Sequence, residues 1–236
     1  MLYSDHIYIA VIGDIRTSKA LEDRGQVQDK LYRILEAINC CYENDISAKY
    51  LITLGDEFQG LLNNGGNVFE MIEMIEREMY PVRIRFGIGV GTITTSINAN
   101  MAIGADGPAY YRARNAIEIL RAKEKRNKKS ACGIWIEGDD SDELITDLLN
   151  SVFSLMSVLR NEWTERQREI IYDFDCHGDS QEKTARRLGI TQSSVQKGLA
   201  GGNYYAYRDA RDTAEKVLRG IIKSQQTITP AASSAR

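Results

Sequence analysis

The sequence predicts an α/β protein: a mixed β-sheet with helices laid on it, followed by a small all-α unit. Three observations carry this expectation. Strand-like and helix-like patterns run in the order β-α-β-β-α-β-α-β between residues 7 and 137, the signature of a sheet covered by helices. An acidic stretch, EGDDSDE at 137–143, then punctuates the chain. Beyond it only helical periodicity remains.

Residues 7–13 (IYIAVIG) form a continuous apolar, β-branched run and read as a buried strand. Val27, Leu31, Ile34 and Ile38 recur at helical spacing within 24–42. KYLITL and FQGLL, broken at Gly55-Asp56, read as a hairpin within 47–62. Val68, Ile72, Ile75 and Met79 make an amphipathic helix closed by Pro81. RIRFGIGVG (83–91) is a strand whose glycines leave room for close approach of another backbone or a ligand. Pro108 suits the first turn of a helix carrying Tyr110, Ala113, Ile117 and Leu120 on one face. ACGIWIE (131–137) is the last strand. Leu144, Leu148, Val152, Leu155 and Leu159 are expected to form the apolar stripe of a helix linking the two halves. Helices are then expected from Thr164, from Ser180 as a cap, from near Gln192 and from about Tyr204, with SQQTITPAASSAR as a disordered tail. The implied division is an α/β domain over 1–140, a linker helix over 141–160, a helical domain over 161–223 and the tail over 224–236.

Composition narrows the function classes. A length of 236 residues fits one large domain or two small ones. The net charge of −3 argues against a uniformly basic nucleic-acid binder. It sums unlike parts: residues 160–236 hold 13 basic and 10 acidic groups, residues 1–159 hold 17 and 23. No apolar run approaches the roughly 20 residues of a membrane span, and the start MLYSDHIYIAVIGDIR lacks the basic segment of a secretory leader. Cys40, Cys41, Cys132 and Cys176 form no CxxC pair, and His6 and His177 are the sole histidines. A disulfide framework or zinc site is not expected, and the cysteines read as small buried hydrophobes in a reducing cytosol. The expected localisation is cytoplasmic.

Chemistry gathers at the strand ends. Asp14 closes the first strand, and Asp56 and Glu57 sit at the tip of the hairpin. Carboxylates converging at strand ends and tight turns repel unless a cation lies between them, and Mg²⁺ takes oxygen ligands beside substrate phosphates. Thr17 and Ser18 follow closely and could offer hydroxyl and backbone N–H groups to phosphate. The basic run RAKEKRNKK (121–129) reads as a solvated helix end whose cations suit the macrodipole.

VIGDIRTS, TLGDEFQGLL, IRFGIGVG and GADGPAYYRARNAI together resemble the class III nucleotidyl cyclase core, a fold shared with GGDEF diguanylate cyclases. The whole chain is similar to the SatD family, to which GDEFQGLL and GADGPAYYRAR point. The resemblance implies a ferredoxin-like, nucleotidyl-cyclase-like mixed sheet over about residues 7–137. It implies Asp14 and Asp56, with Glu57 beside them, as carboxylates for Mg²⁺ or Mn²⁺, and the Ile15 backbone with Thr17 and Ser18 as phosphate contacts. It further implies Arg114 as the transition-state arginine, Tyr110 where an asparagine is usual, and a homodimer sharing the site. Ile52 is apolar near the place of a purine-selecting lysine. Loss of groups that act in the transition state favours nucleotide binding over turnover.

QEKTARRLGITQSSVQKGLA (181–200) carries a second signal. Ala185, Gly189 and Val195 have the spacing of a helix-turn-helix, with a small residue at the crossing, a glycine in the turn and an aliphatic anchor. The segment resembles sigma region 4-like modules of bacterial transcription regulators. Docked in a major groove, its second helix would present Gln192, Ser193, Ser194, Gln196 and Lys197 to bases. Arg186, Arg187 and Arg208 are candidate phosphate contacts. The leading expectation is a DNA-binding transcriptional regulator whose cyclase-like domain senses a nucleotide or phosphate ligand. The alternatives are an active Mg²⁺-dependent cyclase and a dimeric scaffold with a protein-binding helical tail.

Overall fold

The computed structural model describes residues 6–16, 23–126 and 132–228. The α/β part runs β1 (Tyr8–Ile15), α1 (Arg24–Cys41), β2 (Ile46–Leu54), β3 (Glu57–Leu62), α2 (Val68–Met79), β4 (Ile84–Gly91), α3 (Pro108–Arg126) and β5 (Ile134–Glu137). Helices α4 (Glu143–Asn161), α5 (Glu165–His177), α6 (Gln181–Arg187), α7 (Gln192–Gly201) and α8 (Tyr204–Ile228) follow. The sheet order is β2-β3-β1-β4-β5. β3 and β4 both flank β1 antiparallel, β2 pairs antiparallel with β3, and β5 adds parallel to β4. The first four strands with α1 and α2 are therefore a βαββαβ ferredoxin-like unit.

Alternation along β1 builds two cores. Ile9 and Val11 face the larger one, with α1 and α2, while Ala10 and Ile12 face the smaller one under α3. The apolar positions expected on α1, α2 and α3 face the interior, with Val27 half-buried at the edge. α3 lies almost on the backbone of β4. A Cβ at Gly89 would sit 2.0 Å from the Ala109 carbonyl oxygen, and one at Gly87 2.2 Å from that of Ala113. The glycines of β4 thus make room for a helix rather than for a ligand.

Three expectations change here. First, α4 is packed as part of the α/β layer rather than set apart as a linker. Asn150 accepts from Ile136 N at 2.8 Å and donates back to Ile136 O at 2.9 Å, covering the free edge of β5. Second, its buried face is Thr146, Leu149, Asn150, Phe153, Met156 and Ser157, so Leu144, Leu148 and Leu155 of the expected stripe face solvent. Third, Cys40, Cys41 and Cys176 are exposed, and Cys132 is buried. The buried face of α1, Leu31–Ile34–Leu35–Ile38–Asn39, turns the first two outward.

The larger core continues without a break from the sheet into α5, α7 and α8. Phe69 of α2 meets Phe153 of α4 at 5.1 Å between ring centroids, and Trp163 meets Tyr207 of α8 at 5.1 Å. Thr164 caps α5 in a reciprocal capping box with Gln167, and Ser180 and Thr191 cap α6 and α7. Helix α8 runs to Ile228, into the stretch expected to be disordered, and residues 229–236 lie outside the described residues.

Packing accounts for the glycine at position 198 of α7. A Cβ there would lie 2.7 Å from Ile170 Cδ1, so glycine lets α7 press against α5. Gly198→Ala is expected to cost about 1–2 kcal/mol, because the Ile170 side chain can yield only partly. A urea melt followed by helical circular dichroism measures it.

Candidate functional site

Asp14 is 3% exposed at the end of β1, and arginines meet it. Arg85, directly opposite on β4, donates from Nη1 to Oδ2 at 2.5 Å. Arg121 of α3 donates from Nε to Oδ2 at 3.2 Å and places Nη2 3.1 Å from Oδ1. Arg85 also donates to Glu124 Oε2 at 2.6 Å, and Glu124 Oε1 lies 2.9 Å from Arg16 Nε, an ion contact off hydrogen-bond alignment. Arg16 closes the chain by donating to the Cys132 carbonyl at 2.7 Å. The result is a continuous relay of alternating charges across the ends of β1, β4 and α3.

Glu57 faces Asp14 in the β1–β3 register. Its carboxyl is pushed above the ordinary value, chiefly by burial; Arg114 and Arg121 oppose this, and Asp14 and Asp56 add to it. The fold therefore does bring Asp14, Asp56, Glu57 and Arg114 into one neighbourhood. Burial is also the main reason the Arg16 guanidinium lies below its ordinary value, with Glu124 opposing the shift and Arg85 and Arg83 reinforcing it.

This arrangement does not fit a Mg²⁺ or Mn²⁺ centre. Both oxygens of Asp14 face guanidinium groups, leaving a cation two positive neighbours instead of a free carboxylate. Among the described residues no three His, Cys, Asp or Glu side chains group as metal donors. The arginines supply the counter-charge that sequence reasoning assigned to the metal.

Two other expected roles are also corrected. Tyr110 is buried in the smaller core, its hydroxyl 3.5 Å from the Ala102 carbonyl, and burial pushes its phenol upward. It faces the sheet because α3 turns 109, 110, 113, 116, 117 and 120 inward, while Arg114 is exposed. The Ile15 N–H, expected at phosphate, donates to the Asp56 carbonyl at 3.0 Å and ties the hairpin tip to β1. Thr17 and Ser18 lie outside the described residues, as do 127–129 of the basic run.

Sequence reasoning gave Arg85 no role and placed Arg121 and Glu124 in a solvated helix end, whereas Arg121 meets Asp14 and Glu124 meets Arg85. A signal existed: Arg83, just before β4, and Arg85 alternate with Ile84 and Phe86, and Arg114, Glu118 and Arg121 follow one another at i, i+4, i+7 on α3.

Beside the relay lies a cavity of about 60 Å³ where the ends of β1, β4 and β5 meet α2, α4 and α5. Arg16, Arg83, Arg160 and Arg168 line it, with Glu76 as the lining carboxylate. Arg160 is paired with Glu76, while Arg168 stacks over the ring of Tyr80 at 4.6 Å and donates from its two terminal nitrogens to the Tyr172 hydroxyl and the Arg160 carbonyl, each at 3.0 Å. Four guanidinium groups and one carboxylate therefore share this surface.

In the helical unit, Ala185, Val195 and Leu199 are buried, Leu188 and Ile190 pack against them, and Gly189 adopts φ 64° in the turn. That left-handed backbone is where glycine carries little steric cost. Gln192, Ser193, Ser194, Gln196 and Lys197 are all exposed on α7, and Arg186 is exposed on α6. Ser194 is drawn into the cap, its N–H donating to Thr191 Oγ1 at 3.2 Å. Arg187 is not available to phosphate as expected. It binds Asp173 at 2.6 Å and Asp179 at 2.7 Å, pinning α6 to α5, and these bonds hold its guanidinium above the ordinary value. Arg208 stacks over Tyr204 and Tyr205 at 5.5 and 5.6 Å.

Fold and site define a ferredoxin-like α/β protein with an arginine-clamped acidic site and an attached helical unit. The chain belongs to the SatD family, whose model matches residues 8–218. No curated protein matches it. Among solved structures it is similar to a bacterial light-regulated adenylyl cyclase, at 14% identity over 55% of this chain and 74% of that one, TM-score 0.40. A dimeric guanylyl cyclase domain of the RhoGC fusion protein from the aquatic fungus Blastocladiella emersonii is 15% identical over 46% and 72%, TM-score 0.31. A regulator of polyketide synthase expression from Bifidobacterium adolescentis is 14% identical over 94% and 81%, TM-score 0.30. Among the described residues no helix is long and apolar enough to cross a membrane.

Proposed function

We propose that the chain is a DNA-binding regulator whose α/β domain takes a phosphate-bearing ligand, such as a nucleotide, at the arginine-lined ends of β1 and β4. The observation that carries this reading is the outer face of α7. Val195 and Leu199 anchor the helix, and Gln192, Ser193, Gln196 and Lys197 project from it to solvent. A rigid helix with a polar, amide-rich outer face suits base edges in a major groove. Lys183, Arg186, Arg187 and Lys197 are the exposed cations of α6 and α7, and Arg187 is tied to Asp173 and Asp179, so one unit binds weakly and two copies acting together are needed.

Ligand sensing rests on the four arginines that line the cavity beside β1 with a single carboxylate, Glu76. A phosphate ligand would compete with Glu124 and Asp14 for Arg16 and Arg85, and α5, which carries Arg168 beside the cavity, also packs against α7. Turnover as a cyclase is not favoured, because Asp14 is spent on Arg85 and Arg121.

Gln196→Ala with Lys197→Ala tests the DNA reading. Retention of the protein's own promoter fragment is expected to weaken about tenfold or more, with the salt slope falling by about one. A wild-type protein that is not retained even at low salt overturns it. A thermal-shift panel of nucleoside mono-, di- and triphosphates, with and without Mg²⁺, tests the ligand; no shift with any of them overturns that half.

A further inference from the structure

The outward face of α4 is apolar and exposed. Leu144, Leu148, Leu155 and Val158 are 74%, 60%, 67% and 49% exposed. With Ser151 between them they recur at intervals of 4, 3, 4 and 3 residues, the seam spacing of a two-stranded coiled coil. From Leu148 to Leu159 the helix carries no charged residue on any face. The inner face is already filled by the sheet and α8, so this stripe is surplus to the fold. An exposed apolar patch of this kind marks an interaction surface.

We infer that this face is where two copies of the chain meet, α4 against α4, antiparallel, with the two-fold axis near Ser151. A second copy is the occupant that the charges select. The stripe has no cations for nucleic acid or an acidic lipid surface, and an uncharged seam is complementary to itself. Direction follows from the helix ends. Asp139, Asp140, Glu143 and Asp147 crowd the N-terminal end of α4, so parallel pairing would bring two acidic clusters together. Antiparallel pairing separates them and aligns the helix dipoles favourably. The stripe is about 21 Å long at 1.5 Å per residue, short for a permanent interface of roughly 800 Å² per partner, so the dimer dissociates on dilution. Neither the ligand site nor the face of α7 takes part in this contact.

Sedimentation equilibrium over a dilution series tests it. Wild type is expected to move between monomer and dimer mass, and Leu148→Asp with Leu155→Asp, both at exposed positions, to stay monomeric with an unchanged thermal melt. In a Cys40→Ser, Cys41→Ser, Cys176→Ser background, Ser151→Cys is expected to be captured as a dimer by a short bis-maleimide. A mass that stays monomeric at every concentration overturns the inference. So does a dimer that survives the double aspartate variant, which would place the contact on another face. Capture through Leu144→Cys as readily as through Ser151→Cys overturns the antiparallel arrangement.

Discussion

Arg211→Met is expected to destabilise the protein by about 3–5 kcal/mol, the cost of removing one partner from a buried ion pair. Arg211 of α8 lies 2.7 Å from Glu73 Oε2 on α2 and 2.9 Å from Asp175 Oδ2 on α5. Tyr207 donates to Glu73 at 2.8 Å and Tyr204 to Asp175 at 2.5 Å. One guanidinium therefore joins the α/β layer to the helical unit, and methionine leaves two carboxylates facing each other without it. At roughly 2–4 °C per kcal/mol for a chain of this size, the melting temperature falls by about 10 °C.

The loss is expected to depend on pH in one direction. Burial raises the Glu73 carboxyl above its ordinary 4.5 even with Arg211 opposing. A carboxyl raised in the folded state favours folding at low pH, and that contribution is lost as pH rises through the folded value. Without Arg211 the rise is larger, so the variant's deficit shrinks as the pH falls toward 4.5. Denaturant melts at acid and alkaline pH check this, and a deficit that grows on acidification contradicts it.

Asp14→Asn distinguishes the arginine clamp from a metal carboxylate by its sign. In the clamp, the carboxylate neutralises Arg85 and Arg121. Asparagine then costs about 2–3 kcal/mol in metal-free protein, less than a fully buried pair because Arg85 keeps Glu124 and Arg121 keeps Glu118. A carboxylate reserved for a cation behaves oppositely. Its removal relieves repulsion from Glu57 and Asp56, and metal-free protein becomes no less stable. Chemical denaturation in EDTA measures the sign. A neutral or stabilised Asp14→Asn, together with a wild type that Mg²⁺ stabilises, overturns the clamp.

By itself the sequence determined what local chemistry controls. Apolar, β-branched runs broken by turn residues placed the five strands of the sheet, and period-3.6 patterns the inward faces of α1, α2 and α3. Thr164, Ser180 and Gly189 marked helix ends and the α6–α7 turn, because caps and left-handed turns depend on a few adjacent residues. The tertiary structure alone decided the rest. Asp14 meets Arg85 at a separation of 71 residues and Arg121 at 107, pairings that strand register and helix docking create. Arg187 looked free for phosphate until α5 brought Asp173 beside it. Helix α4 carries two apolar stripes that differ only by rotation about its axis, and periodicity cannot rank them. The sheet chose the stripe whose Asn150 could close the edge of β5, and the other was left facing water.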